Sequence, residues 1–199
     1  DRVAFIGIHT GTLGFLTDYQ RDEYLQLVLD IQNGQHRIYE RHLLEVSCLE
    51  GIYFALNEVR IENNRRSQVM DVYINDEYFE TFRGNGLCVS TPVGSTAYNK
   101  SLGGAVINTC TGLMQLSEIA GIHHNAYRSL GSSLILDQSH TIRFQSQSYQ
   151  GAILGVDHLV IDLKDKHCIC VKMSSKKARF LQYRNVSFTQ RLKRAYLNS

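Results

Sequence analysis

From residue 37 onward, short runs of β-branched and aromatic residues alternate with turn residues, a pattern that favours β-strands. In the run Val69–Ile74, Met70, Val72 and Ile74 alternate with Asp71 and Tyr73, as in a sheet with one buried face. The predicted strands span residues 37–48, 51–62, 68–74, 78–82, 134–136, 141–145, 159–163, 168–173 and 178–183. Their close spacing predicts antiparallel pairing, because antiparallel strands need only short connections.

Helical segments are fewer. Between residues 19 and 33, apolar residues recur every three or four positions, and Gly34 follows as a stop signal. Two shorter helices are predicted at residues 95–102 and 112–120, and a buried strand at residues 3–8. The predicted fold class is therefore α+β and mainly β: a large antiparallel β-sandwich domain with a short α/β fringe at the N-terminus.

Composition limits the classes of partner. Hydrophobic residues make up 43% of the 199 residues and charged residues 20%, as in globular domains. The formal net charge of +2 produces no global field toward nucleic acid or an anionic membrane. Since no apolar run approaches the roughly 20 residues of a membrane span, we expect a soluble domain with neither a membrane nor a nucleic-acid partner.

Five cysteines, at an odd count and without disulfide-framework spacing, predict a reducing, cytoplasmic location. Cys168 and Cys170 would share one face of a strand. A zinc site would need two further ligands, and His167 is adjacent rather than suitably spaced. The pattern favours a half-buried strand, and no metal site is predicted.

The densest run of small and polar residues, 83–105, is the candidate site. Small residues allow a ligand to approach the backbone, and the free N–H groups of a helix start can bind an anion. The same residues could equally form a tight turn between a sheet and a helix. Neither common nucleotide fingerprint, GxxxxGK[ST] or GxGxxG, is present.

Several motifs in order along the chain resemble those of the NAD kinase family, in particular the shorter Gram-positive type. The matching segments are Ile6–Leu16, Leu56-Asn-Glu58, Phe82-Arg-Gly-Asn-Gly-Leu87, Gly94-Ser-Thr-Ala-Tyr98, Asn99–Ala105 and Gly155-Val-Asp-His158. The resemblance covers nearly the whole chain. It implies transfer of the γ-phosphoryl group of ATP to the 2′-hydroxyl of the adenosine ribose of NAD, with Mg²⁺ or another divalent metal on the ATP phosphates.

The resemblance also implies roles for named residues. Asn57 would read the adenine edge, and the Glu58 carboxylate, which can only accept hydrogen bonds, would read ribose hydroxyls. Thr96 would supply a hydroxyl, Ala97 would leave room, and the Tyr98 ring would offer an apolar face to a base. Taken without its neighbours, Tyr98 would more often be a core aromatic residue, and only the surrounding match favours the site.

The resemblance implies that four further residues lie near the nicotinamide end of NAD. Ser101 would lie beside Tyr98 on one helical turn. His158 would lie near the nicotinamide ribose or the phosphates, although a strand histidine bonded to a neighbour fits the sequence too. Ala120 would line the pocket from a second subunit, because the resemblance implies a homotetramer in which one chain completes the NAD pocket of another. Asn85 stands where the family usually has Asp. This replacement keeps the hydrogen bonding but removes a charge, which could weaken NAD binding.

The family's Gly-Gly-Asp-Gly-Thr motif, whose Asp is the presumed base, does not occur in these residues. We therefore expect residues 1–35 to be the remnant of an N-terminal α/β domain, with the catalytic Asp upstream and little activity in this chain. Residues 36–199 would be the β-rich NAD-binding domain, with a C-terminal tail packing back on the α/β part.

Two other functions remain open. A lipid kinase of the diacylglycerol-kinase type shares the upstream Asp motif, but a lipid site needs a long apolar groove that the loops do not indicate. A non-enzymatic basic-tail binding module would use the C-terminal cations. These cations are Lys176, Lys177, Arg179, Arg184, Arg191, Lys193 and Arg194.

Overall fold

The computed structural model describes residues 3–11, 14–49, 51–163 and 168–197. The chain divides into two compact units, Asp1–Arg41 with Ala178–Ser199, and His42–Lys177. Within the described ranges, no helix is long and apolar enough to cross a membrane.

Strands predominate over helices. The strands are β1 Ile8–His9, β2 Tyr19–Gln20, β3 Arg37–Cys48, β4 Gly51–Ala55, β5 Glu58–Glu62, β6 Gln68–Ile74, β7 Glu77–Ser90, β8 Leu113–Gly121, β9 Leu134–Asp137, β10 Thr141–Gln145, β11 Ala152–Val156, β12 Leu159–Leu163 and β13 Cys168–Gln182. The α-helices are α1 Tyr24–Asn33, α2 Tyr98–Ser101 and α3 Phe188–Tyr196, and single 3₁₀ turns cover Arg21–Glu23 and Gly94–Thr96.

Eleven strands form one sheet in the order β12-β11-β5-β7-β6-β10-β13-β3-β4. Strand β8 adds a further pairing to β7, and β9 pairs with β8. The registers of β5, β6, β7, β8, β10 and β11 with their neighbours are all antiparallel. The predicted mainly β, antiparallel class is thus confirmed.

The hydrophobic core of the unit His42–Lys177 lies against one face of this sheet. In β5, Val59 and Ile61 are buried there together with Leu154 of β11 and Val89 of β7. Because neighbouring strand residues point to opposite faces, the remaining residues of β5 point away from this core. That second face carries the candidate site.

The helix predicted at 112–120 is wrong, since this segment is strand β8. Leu113, Leu116 and Ile119 do recur at helical spacing, but β8 lies between β7 and β9 and is buried on both faces. Its buried polar residue Gln115 faces the site rather than solvent. Apolar and polar residues therefore do not alternate along β8 as they do in a half-buried strand.

Other predictions need smaller corrections. The predicted strand at 51–62 is two strands, β4 and β5, separated by Leu56 and Asn57. The strand at 78–82 continues to residue 90, and β11 and α3 were not predicted. The predicted buried strand at 3–8 is wrong: Val3, Phe5 and Ile8 are exposed, Phe5 forms an isolated bridge with Phe180, and Ile8 belongs to the two-residue strand β1. The helix predicted at 19–33 is confirmed from Tyr24 to its cap at Gly34, which has φ +70°, but its predicted start is wrong, because Tyr19–Gln20 is strand β2 and Arg21–Glu23 is a 3₁₀ turn.

In the unit formed by 3–41 and 178–197, two arginines of the C-terminal segment make internal contacts. Arg184 pairs with Glu23 at 2.8 Å and lies over the Tyr19 ring. Arg191 forms an ion pair with Asp18. These two members of the basic cluster therefore stabilise the unit rather than presenting a free cationic surface.

Candidate functional site

The second face of β5 is lined by charged side chains at alternate positions. Glu58, Arg60 and Glu62 share this face, whereas the residues between them enter the core. Opposite them in β7 lie Ser90, Cys88 and Gly86, in direct register. Arg60 Nε lies 3.1 Å from a Glu62 oxygen, and Arg60 Nη1 lies 3.8 Å from a Glu58 oxygen. The sheet thus presents a compact polar strip beside its apolar core.

The Asp157 carboxylate holds the turn that precedes β5. Its Oδ2 accepts a hydrogen bond from the Leu56 N–H at 2.7 Å, and its Oδ1 accepts from the N–H groups of Asn57 at 2.8 Å and Glu58 at 3.1 Å. The Asp157 N–H donates in return to the Glu58 carbonyl at 3.0 Å. Three backbone donors on one carboxylate fix the directions of the Asn57 and Glu58 side chains.

The loop after β7 packs directly on the same turn. Thr91 Oγ1 donates to the Leu56 carbonyl at 2.6 Å, and the Thr91 N–H donates to the Asn57 carbonyl at 2.9 Å. A Cβ at Gly94 would lie 2.7 Å from Asn57 Cα and would overlap the Asn57 carbonyl. Glycine is therefore required at 94, because the two backbones touch there.

Buried Asn99 holds helix α2 over the polar strip. Ser117 Oγ of β8 donates to Asn99 Oδ1 at 2.8 Å, and Asn99 Nδ2 donates to the carbonyls of Ser95 and Ala105, both at 3.4 Å. Gln115 fixes the end of the same loop, since its Oε1 accepts from the Ala105 N–H at 2.8 Å. The loop from 91 to 105 is thus tied to β8 as well as to the turn before β5.

Tyr98, the first residue of α2, lies beside Arg60. The Arg60 guanidinium carbon is 6.0 Å from the centre of the Tyr98 ring, within the range of a cation–π contact. A Cβ at Gly155 would lie 2.7 Å from that same carbon, so the missing side chain at 155 leaves room for the guanidinium. Partial burial and the nearby Glu62 charge raise the pKa of Tyr98 above its usual value, which keeps the phenol protonated.

Glu58 carries the most unusual electrostatics of the strip. Only 7% of the residue is exposed, and burial, followed by the Asp157 charge, raises the pKa of its carboxyl group, whereas Arg60 lowers it. Among the described residues, Glu58 Oε2 has no hydrogen-bond partner, and neither does the Ser90 hydroxyl in register with it. A buried acceptor and a buried hydroxyl without partners cost free energy, and a polar group of a ligand or a water molecule that bonds to them would remove that cost.

The structure brings part of the predicted set together. Asn57, Glu58 and Tyr98 lie around one end of the polar strip. Thr96, whose hydroxyl donates to the Val93 carbonyl at 3.0 Å, is in the 3₁₀ turn that enters α2. Exposed members of the set are Ala97, Ser101 at the end of α2, and His158 in the turn after Asp157.

Asn85 and Ala120 lie at the other end of the strip. The Asn85 carbonyl accepts from the Asn63 N–H at 2.8 Å, immediately after Glu62. Ala120, at φ +45°, places its carbonyl against Gly84, the neighbour of Asn85. From Glu58 to Glu62 the strand advances about 13 Å at its usual rise, so the two groups of predicted residues are separated by roughly that distance.

Residues that the sequence left without a role build much of the site. Asp157 stands in the quoted Gly155–His158 segment, and an acidic residue in a two-residue turn between strands is a signal that could have indicated a backbone acceptor. Arg60 alternates with Glu58 and Glu62, which could have indicated a polar face. Nothing in the sequence marks Asn99 as buried.

Comparison with known proteins gives one family. Residues 56–183 match the ATP-NAD kinase C-terminal domain family. The NAD kinase of Staphylococcus aureus (strain JH9) is 38% identical over 205 residues, covering 100% of this chain and 76% of the relative, and the strain Newman protein gives the same values.

Two solved structures share the fold. Yeast NADH kinase complexed with NADH superposes with a TM-score of 0.79 at 23% identity, covering 94% of this chain. The chain spans 55% of the length of that yeast protein. An NAD kinase from Archaeoglobus fulgidus in complex with ATP superposes with a TM-score of 0.72 at 21% identity, covering 96% of this chain and 70% of the other.

Proposed function

The chain belongs to the NAD kinase family, and from that premise we propose that its polar strip binds the adenosine half of NAD for phosphorylation. The reaction is transfer of the γ-phosphoryl group of ATP to the 2′-hydroxyl of the adenosine ribose. Such transfers depend mainly on positioning, and the fixed turn before β5 provides a rigid platform for the acceptor sugar.

The partnerless Glu58 Oε2 is the observation that carries this proposal. A buried carboxylate oxygen is costly unless a donor reaches it, and the two vicinal hydroxyls of a ribose are donors of the right kind. Asn57 next to it has both a donor and an acceptor for an adenine edge. The Tyr98 ring beyond Arg60 offers an apolar surface to the base.

The remaining residues extend this site. Thr96, Ala97, Ser101 and His158 would line the path from the ribose toward the nicotinamide end. Asn85 would meet the nicotinamide at the far end of the strip, and Ala120 would reach it from a second subunit of a homotetramer. The enzyme would act in the cytoplasm. Residues 1–35 would belong to an α/β domain, and residues 36–199 would carry the NAD platform.

ATP would enter as its complex with Mg²⁺ or another divalent ion, which neutralises the charge on the transferred group. In the described ranges, no group of three or more His, Cys, Asp or Glu side chains is placed to hold a metal ion. We therefore assign no ligand for this ion among the described residues, and the catalytic base would be the Asp of the family's Gly-Gly-Asp-Gly-Thr motif.

Calorimetric titration with NAD tests the site. We expect Asn57→Ala and Tyr98→Ala each to weaken binding by about 1–3 kcal/mol, because each removes a polar or stacking contact with the base. Asn57 holds the turn through its backbone, so the variant should still fold. The matched controls are the exposed residues Asn64→Ala and Tyr78→Ala. Unchanged affinity in both site variants would contradict the assignment.

A further inference from the structure

Arg60 lies at the centre of the polar strip. It is the only cation among the three charged side chains on this face of β5, and its neighbours there, Glu58 and Glu62, are both acidic. Its side chain is 20% exposed, so a ligand in the site can reach it. The guanidinium carbon is 6.0 Å from the Tyr98 ring centre. Arg60 therefore adjoins both the ribose position and the base position of the proposed site.

Only part of the guanidinium is bonded within the fold. Its Nε donates to a Glu62 oxygen at 3.1 Å, and its Nη1 donates to the Asp157 carbonyl at 3.2 Å. Nη1 is 3.8 Å from Glu58 Oε1, which is beyond hydrogen-bond distance. Within the described part of the chain, Nη2 has no hydrogen-bond acceptor. Its N–H groups are therefore available to a ligand.

Gly155 of β11 limits where the guanidinium can lie. It is in register with Arg60, and a Cβ at 155 would lie 2.7 Å from Arg60 Cζ and 2.8 Å from Arg60 Cγ. The arginine side chain thus lies directly against the backbone of β11. A cation already held in this way loses little further freedom when it binds an anion.

Phosphorylation of the ribose changes which groups the strip must bind. Both vicinal hydroxyls of the substrate can donate to the Glu58 carboxylate. In the product, the 2′-oxygen has no hydrogen to donate and carries a phosphate with a charge of about −1.5 to −2 at neutral pH. The Glu58 carboxylate repels that charge, whereas a guanidinium matches the geometry of a phosphate and offsets its charge.

We propose that Arg60 binds the 2′-phosphate of the product NADP, so that the chain holds NADP more tightly than NAD; this inference rests on the proposed NAD site. The N–H groups of Nη2 donate to phosphate oxygens, while Nε keeps its bond to Glu62. The ribose 3′-hydroxyl keeps the bond to Glu58. Arg60 is thus a residue that discriminates the product from the substrate.

Calorimetric titration of the full chain with NADP and, separately, with NAD tests this role. The readout is the ratio of the two affinities, because a merely structural loss at the Asp157 carbonyl would weaken both ligands alike. We expect Arg60→Gln to lower the NADP-to-NAD affinity ratio about 10–100-fold, the usual size of a hydrogen bond to a charged group. Arg60→Lys, which keeps the charge without the planar fork, should give an intermediate ratio. The matched control is Arg65→Gln, at an exposed arginine between β5 and β6, which should leave the ratio unchanged.

Gly155→Ala is a second variant in which the arginine itself is kept. Its methyl group must displace the Arg60 side chain, so the affinity ratio should fall here too. The unaltered protein gives a third comparison, and it should bind NADP more tightly than NAD.

The outcomes separate this inference from the proposed function. If NAD binding depends on Asn57 and Tyr98 but Arg60→Gln keeps the ratio of the unaltered protein, the role of Arg60 is refuted and the NAD site stands. Weaker binding of NADP than of NAD by the unaltered protein would refute it equally. NAD binding that is insensitive to Asn57→Ala and Tyr98→Ala would instead contradict the proposed function, and this inference with it.

Discussion

Replacement of Asp157 by Asn should loosen the turn that carries Asn57 and Glu58. One amide oxygen can still accept from these two N–H groups, but the amide nitrogen then faces the Leu56 N–H, donor against donor. An unpaired N–H costs about 1–3 kcal/mol, and the two surviving bonds lose the share that came from the charge. Relief of the repulsion between Asp157 and Glu58 offsets part of this cost, so we expect a loss of about 2–3 kcal/mol in unfolding free energy.

Asn tolerates the backbone angle of φ +50° at Asp157, so the change tests the carboxylate and not the backbone. Urea unfolding followed by tyrosine fluorescence measures the loss, since the chain has 11 tyrosines and no tryptophan. The matched control is Asp162→Asn on the exposed side of the same hairpin, which should leave stability unchanged. If Asp157→Asn changes stability no more than Asp162→Asn does, the three hydrogen bonds to the Asp157 carboxylate do not stabilise the fold.

Three further substitutions test neighbouring parts of the site. Because the folded state raises the pKa of Glu58, its charge reduces stability as pH rises above the ordinary carboxyl value. Glu58→Gln should therefore unfold at higher urea than the wild type at pH 7, with the difference vanishing below about pH 4; an equal difference at both pH values would refute this. Gly94→Ala should cost about 2–3 kcal/mol of stability through overlap with Asn57, and an unchanged urea midpoint would contradict the packing. Asn99→Ala should cost about 1–3 kcal/mol by removing an acceptor of the buried Ser117 hydroxyl and the donor to the Ser95 and Ala105 carbonyls, and a melting temperature equal to that of Asn64→Ala would argue against that role.

The sequence predicted much of the sheet because most of its strands are half-buried and alternate in hydrophobicity. It failed at β8, where Gln115 and Ser117 are polar yet buried, so that hydrophobicity no longer reported the period of the strand. The prediction of a buried strand at 3–8 failed for the opposite reason. Its apolar run is typical of a buried strand, but Val3 and Phe5 are exposed in their unit.

For the site, the family resemblance singled out Asn57, Glu58 and Tyr98, and the structure places them at one end of one strip. The support behind them could not be predicted. Asp157 acts through a contact about one hundred residues away along the chain, and Asn99 through its bond to β8. Such long-range hydrogen bonds leave no local signal in composition or periodicity.

The most direct test of the central claim is a crystal structure of this chain soaked with NAD. We predict that a ribose hydroxyl of the adenosine half lies within hydrogen-bond distance of Glu58 Oε2, with the adenine between Asn57 and Tyr98. An ordered dinucleotide bound elsewhere, with Glu58 still without a ligand donor, would contradict the account.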